Sequence, residues 1–246
     1  MGSYFFLTTW SDSGETLMWT TKDDTYGADY VETSMPNGKT FLKGSTAYYV
    51  HGGALYSYSF KTSKATKLKK LGADAAAVGA VWGSNVYVSY ASAAKKKNWT
   101  RVYNTKTKKL GASIGSFRFA ESYGSYAVGD ATFSNSALAA RSLTLYKLTG
   151  SGAKKLKMLS KYGQAASWAG GKLYYTGATN AKLNYVCLYR ANVDGSKATQ
   201  IGSWRGEPGD IILVHDITST SCTVEYPNSY DCFKYVYKTN ELIPYW

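Results

Sequence analysis

The chain has 246 residues, and 24 Gly, 23 Tyr and only four Pro in a 44% hydrophobic composition suit a turn-rich all-β domain. A chain of that length buries a large core, and its composition excludes a disordered polar polymer. No apolar run approaches the roughly 20 residues of a membrane helix, and a formal net charge of +13 predicts attraction to anions.

The chain opens Met1-Gly2-Ser3 and runs straight into Tyr4-Phe5-Phe6-Leu7. This is neither a signal peptide nor a basic leader, so a targeting segment is expected to be absent or removed. Met1-Gly2-Ser3 reads as an added scar, in which case the chain is expected to be one piece of a longer protein. A Gly-containing turn followed by a Tyr-rich or aliphatic strand then recurs along the sequence. It runs over Gly2 to Phe6, Gly44 to Tyr49, Gly83 to Val88, Gly124 to Val128, Gly171 to Tyr175 and Gly209 to Leu213. A second anchor follows each one, an aromatic at Trp19, Tyr58, Tyr103, Tyr146, Tyr189 and Tyr237, and after it a polar turn. The repeats start near residues 2, 44, 83, 124, 170 and 209. A period of about 40 residues holding four short strands predicts a six-bladed β-propeller of four-stranded antiparallel blades. All of residues 1–246 then form a single domain.

One repeat shows the pattern strand by strand. Ala76 to Trp82 is apolar throughout, as an inner strand between blades requires. Gly83 to Asn85 turns the chain, Val86 to Tyr90 returns, Trp99 to Thr105 is the third strand, and Thr107 to Leu110 begins the fourth at the rim. The rim strands carry most of the lysine, at 66–71, 106–110 and 154–158. Lysine on an outermost strand discourages edge-to-edge pairing. The first repeat starts at its second strand, and only nine residues follow Tyr237, enough for a rim strand but not for another inner one. Blade one is therefore expected to lack a strand or to close the ring in an unusual way.

Leu173 to Gly177, followed by Leu188 to Ser196, resembles the repeat of the low-density-lipoprotein-receptor-type (YWTD) propellers and of their bacterial secreted relatives. The likeness covers residues 169–202, with Tyr175 and Gly177 in place of the Trp and Asp of the Tyr-Trp-Thr-Asp core. Asp194-Gly195 suits a tight turn, since both residues tolerate positive φ. The resemblance implies a six-bladed, extracytoplasmic, ligand-binding domain, secreted or on a bacterial cell surface, and carries over no partner or binding residue.

Cys222 and Cys232 flank a segment with Pro227 near its centre. A turn there would set them opposite each other for a disulfide, which would favour an oxidising compartment; two free thiols are the alternative. Cys187 reads as a small apolar filler. Only His51 and His215 are present, both placed near the ends of second strands, and no His/Cys/Asp/Glu spacing suits a metal. Asp12, Glu15, Asp23, Asp24 and Asp29 lack calcium-loop spacing and read as a solvated turn cluster. Nucleophile elbow, Walker loop and dinucleotide fingerprint are all missing, so no metal, no cofactor and no catalysis are expected.

Residues 33–193 hold 24 Lys/Arg against Asp74, Glu121 and Asp130, leaving five basic and 13 acidic residues at the two ends. A basic arc of this kind attracts polyanions in a salt-dependent way. A protein, a glycan or an anionic cell-wall polymer is the expected partner. Nucleic acid is disfavoured because the lysines track rim strands and no binding motif is present. Loops carry function in such folds, and aromatic and Arg side chains dominate binding hot spots. The expected ligand-binding residues are Trp10, Trp99, Trp204, Arg205, Tyr226 and Tyr230, on loops of one face; Trp82 and Trp168 fall on inner strands and read as core. Three readings follow: a non-catalytic, monomeric binding propeller, a scaffolding module of a larger surface protein, and a hydrolase or lyase with a top-face site. A channel-mouth cluster of carboxylates and histidine would favour the third.

Overall fold

The computed structural model describes the backbone of residues 5–11, 14–20 and 31–32, and residues 40–134, 139–207 and 210–245 with their side chains. Among the described residues there is no helix. The first sheet is an antiparallel meander of β1 (Phe5–Ser11), β2 (Gly14–Thr20) and β3 (Val31–Glu32). Five four-stranded meanders follow. The second sheet holds β4 (Phe41–Lys43), β5 (Thr46–His51), β6 (Ala54–Ser59) and β7 (Lys64–Lys70). The third holds β8 (Ala75–Trp82), β9 (Asn85–Ser92), β10 (Lys97–Asn104) and β11 (Lys109–Gly115). The fourth holds β12 (Arg118–Tyr123), β13 (Tyr126–Asp130), β14 (Arg141–Leu148) and β15 (Ala153–Gly163). The fifth holds β16 (Ala166–Ala169), β17 (Lys172–Ala178), β18 (Tyr185–Asn192) and β19 (Thr199–Arg205). The last holds β20 (Leu213–His215), β21 (Ser221–Tyr226), β22 (Asp231–Val236) and β23 (Glu241–Pro244).

Burial follows position within each sheet. The second strands β9, β13, β17 and β21 are almost continuously buried, because neighbours flank them in the sheet and cover both faces. The fourth strand β7 is exposed at every residue but the half-buried Leu68, so its lysines stay in water while the strand guards the sheet edge. A ladder irregularity recurs between third and fourth strands, at Leu55/Tyr56, Leu145/Tyr146 and Leu188/Tyr189. The bulge marks Tyr56 as the counterpart of Tyr146 and Tyr189, two residues before the expected anchor Tyr58. Bulges of this kind bend and twist a strand, which suits a rim.

The chain forms two compact units, Met1–Tyr90 with Arg101–Ala112, and Ala91–Thr100 with Ser113–Trp246. The core of the first includes Ala47, Tyr49, Tyr58 and Phe60. In the same unit the Tyr103 hydroxyl donates to the Leu68 carbonyl at 3.3 Å, tying one sheet to the next. The second unit has one cluster around Val128, Leu143, Leu145 and Leu173, and another around Leu188, Trp204, Val214 and Tyr235. Each fully buried leucine removes enough apolar surface from water to contribute about 2 kcal/mol. Tyrosine serves the joints between sheets here as well. Tyr235 donates to the Ile201 carbonyl at 2.7 Å, and Tyr174 to Ser219 at 3.3 Å. The high tyrosine content thus has a structural use, as each ring fills apolar space and its hydroxyl reaches a backbone acceptor on the next sheet.

The last sheet departs from the sequence reading. The segment expected as a second strand, ending at Leu213, leads into the inner strand β20, and a separate second strand, β21, lies inside what reads as a long loop. This places His215 on an inner strand, while His51 ends the second strand β5 as expected. The cysteine pairing is also corrected. Cys222 lies opposite Tyr235 and Cys232 opposite Glu225. The two thiols are thus offset by three ladder positions, about 10 Å, and an odd offset puts them on opposite faces of the sheet. Both are free, with Cys222 buried and Cys232 half-buried. Burial pushes the Cys222 thiol up to about 12, so it stays protonated and unreactive at neutral pH.

Candidate functional site

In the second unit the loops β17–β18, β19–β20 and β21–β22 gather at one end of their sheets. Arg205 ends β19 directly opposite Tyr185, which starts β18. Strand alternation turns Trp204 inward and leaves Ser203 and Arg205 exposed. The Arg205 guanidinium consequently lies over the Tyr185 ring, 5.2 Å from its centroid, a stacking that holds the planar cation with its donor edge outward. Thr179, Asn180, Asn184, Gly206 and Glu207 complete an open groove of 620 Å³ around this pair.

The groove walls are fixed by backbone bonds. Gly206 N–H donates to the Asn184 carbonyl at 2.9 Å and Ile212 N–H to the Leu183 carbonyl at 3.0 Å. Leu183 is buried despite a φ of 60°, so its side chain pins the loop to the core. Asn180 Oδ1 accepts from Lys182 N–H at 2.9 Å, and Asp210 Oδ2 from Glu207 N–H at 2.9 Å. Below the groove the Gln164 side chain bonds the backbone of Ile212 and Val214. A wall held this way is pre-organised, which limits the ordering entropy that binding must overcome.

The residues expected to bind are placed unequally. Arg205 is exposed in the groove. Tyr230 is 92% exposed at the β21–β22 turn with a φ of 61°. Tyr226 ends β21 half-buried, its ring edge-on to Phe233 at 6.1 Å; burial, with the Asp210 and Asp231 carboxylates nearby, raises its pKa. Trp99 lies within β10 rather than in a loop, half-buried, with the Lys95 ammonium 5.8 Å from its ring centre. Trp204 is a correction. It is 6% exposed and packs edge-on against Tyr235 at 5.1 Å, a core residue rather than a loop anchor. Trp10 falls in β1 opposite Glu15, and its side chain lies outside the described residues. The inner-strand residues Trp82 and Trp168 are half-buried. Sequence reading missed Tyr185, Asn180 and Asn184, whose relation to Arg205 depends on strand register.

A second concavity, of 430 Å³, lies along inner strands β12, β16 and β20 and is lined by Glu121, Ser167, His215, Asp216 and Thr218, among others. His215 Nδ1 is 2.9 Å from Asp216 Oδ2, and its Nε2 is 3.1 Å from Glu225 Oε2. Both ring nitrogens are therefore paired with carboxylates. Among the described residues no group of His, Cys, Asp and Glu is arranged to hold a metal ion.

No known protein family matches the chain, and no curated protein matches it. Solved structures do. An oligogalacturonate lyase in complex with manganese is similar over 98% of this chain and 73% of its own, at a TM-score of 0.61 and 13% identity. The β-propeller domain of Cps50 (Swd1) from Myceliophteria thermophila is similar over 97% and 82%, at 0.57 and 9%. TolB from Acinetobacter baumannii is similar over 94% of this chain and 61% of its own, at 0.50 and 8%. Identities this low speak to fold alone. The protein has a β-propeller fold built from antiparallel sheets.

Proposed function

We propose that this chain is a non-catalytic binding propeller that recognises a glycan in the groove at Arg205 and Tyr185. The observation that carries this reading is the stacked Arg205–Tyr185 pair beside an open groove lined by Asn180, Asn184 and Thr179. The amide groups of Asn180 and Asn184, the Thr179 hydroxyl and the Arg205 guanidinium supply hydrogen-bonding groups beside an aromatic ring, which suits a polyhydroxylated ligand. Tyr230, 92% exposed at the β21–β22 turn, is proposed to extend the contact. The three-stranded β1–β3 sheet is read as the sixth blade of a single, monomeric domain, supported by the repeat period. An extracytoplasmic, bacterial cell-surface setting rests on the likeness of residues 169–202 to the YWTD-type repeat.

One observation favours a second reading, a hydrolase or lyase: Glu121, His215 and Asp216 line the inner-strand cavity, and Glu225 of the second strand β21 reaches His215 beside it, together with a similar fold in a lyase. It ranks below the first because both nitrogens of His215 are already engaged, which presents neither as a base to the cavity. The test is a screen against neutral and acidic glycans, with product analysis of every hit. Retention of an unaltered glycan at high salt, lost in Arg205→Ala and in Tyr185→Ala, supports the binding reading. Cleaved product that disappears in Glu225→Gln supports the enzyme instead.

A further inference from the structure

The fourth sheet carries a charged arrangement away from that groove. Asp130, at the end of β13, is fully buried, in a chain where acids are scarce over residues 33–193. Its Oδ2 takes Arg141 Nη1 at 2.8 Å and Arg118 Nη2 at 3.4 Å, while its Oδ1 accepts Thr132 N–H at 2.9 Å. Burial of a carboxylate is tolerable only when it is paired and fully bonded, and here two guanidiniums are held to a single charge. Their side chains remain 22% and 32% exposed, so each keeps outward edges with further donors.

Thr132 joins this pair to a second source of charge. Its hydroxyl accepts Ser142 N–H at 2.8 Å, beside Arg141, and its carbonyl accepts the buried Asn98 amide at 2.7 Å. The Thr100 hydroxyl donates to the Phe117 carbonyl at 2.6 Å, next to Arg118. The β9–β10 hairpin is thereby fastened to the arginine platform, and its tip carries exposed Lys95, Lys96 and Lys97. Two guanidiniums thus share one buried acid, and three exposed lysines lie on the tip of the hairpin fastened beside them.

We propose that Arg118, Arg141 and the Lys95–Lys97 hairpin form an anion-binding site for a linear acidic polysaccharide. Each guanidinium meets the Asp130 carboxylate through a single nitrogen, so its other N–H donors suit a fork onto an external carboxylate. The lysines extend the positive field along the polymer. Nucleic acid fits less well, since no aromatic array for stacking bases accompanies the charge. This assignment does not depend on the groove at Arg205.

The test is titration of fluorescently labelled alginate, a uronic-acid polymer, over a series of salt concentrations. Three variants answer the question: Lys95→Gln/Lys96→Gln/Lys97→Gln, Arg118→Gln, and a rim control, Lys67→Gln/Lys69→Gln/Lys70→Gln on β7. The hairpin variant is expected to bind about tenfold more weakly at low salt, with a salt slope shallower by about two to three. Arg118→Gln weakens binding at every salt concentration, and the rim control stays near wild type. The hairpin substitutions lie on exposed residues, so a folding defect does not obscure the result; unfolding curves confirm it. An equal loss in the rim control reduces the effect to overall charge and overturns the site. Unchanged affinity in the hairpin and Arg118 variants overturns it as well, and tighter, Arg118-dependent binding of duplex DNA overturns the choice of polysaccharide.

Discussion

Replacing Trp204 by alanine separates a core residue from a ligand contact. A buried Trp removes about 150–250 Å² from water, worth roughly 4–6 kcal/mol at 25 cal/mol per Å². Compactness of the unfolded chain trims that by about 10–40%, and the edge-on contact with Tyr235 adds about 1 kcal/mol. Trp204 is only 6% exposed and sits among Leu188, Val214 and Tyr235. Trp204→Ala should therefore cost about 4 kcal/mol, within the range for large core truncations. The Gly202 site shows how closely the ring is enclosed, since a Cβ there would lie 2.8 Å from the indole. Urea denaturation gives the difference directly, and melting should fall by roughly 8–16 °C for a domain of this size. Tyr230→Ala, at a residue 92% exposed, serves as the control and should stay within about 0.5 kcal/mol. A Trp204→Ala protein that loses less than about 1 kcal/mol, yet loses ligand, would refute the core placement.

Three further outcomes follow from the packing and burial described above. Asp130→Asn leaves Arg118 and Arg141 without their shared charge and should cost about 2–3 kcal/mol in urea unfolding; full stability would show that the pair does not depend on Asp130. Gly163→Ala places a methyl 2.5 Å from Leu143 Cδ1 and 2.8 Å from the Thr176 carbonyl. Backbone cannot yield as a side chain does, so a loss of about 2 kcal/mol is expected in the same assay, and an unchanged midpoint would contradict the close approach. Burial raises the pKa of Cys222 to about 12 and raises that of Tyr237. Folded values above the unfolded ones give stability that is complete below the unfolded thiol value of 9.0 and is lost as pH rises toward the folded value. The slope approaches about 1.4 kcal/mol per pH unit per group. Unfolding at pH 8 and at pH 10.5 should therefore differ measurably, and Cys222→Ala should flatten part of the difference; a pH-independent profile would contradict it.

Repetition is legible because the second to fifth sheets reuse a glycine turn before the second strand, and the second to fourth add a lysine-bearing fourth strand. Those signals depend only on neighbours in sequence. The last sheet is not legible in the same way, because a glycine followed by Asp210, Ile211 and Ile212 looks like the turn before a second strand, while β20 is only three residues long. Too short a strand carries no periodicity to distinguish an inner from a second position. Trp204 reads as a loop residue in the sequence because Gly206 and Pro208 follow it closely. The alternation of exposed Ser203, buried Trp204 and exposed Arg205 was available in the sequence but weaker than the turn signal. Asp194-Gly195 was read correctly as a turn, although only Gly195 takes positive φ, at 77°; Asp194 contributes its carboxylate to Ser196 N–H at 2.9 Å instead.

The candidate site was half visible. Arg205 stood out by type, but Tyr185 lies 20 residues away and meets it only through the β18–β19 register. Asp130 stood out as one of three acids in a basic stretch, yet its pairing with Arg141 spans a loop and a strand return. Neither relation has a local signature, because cross-strand partners are set by turn length and bulges rather than by spacing.

Hydrogen–deuterium exchange with and without the glycan that binds best tests the central claim most directly. The account predicts slowed exchange at 179–185 and 205–207, with little change at the inner-strand cavity around 165–167 and 215–218. Protection confined to that cavity, or none at the Arg205 groove while the glycan is bound, would contradict it.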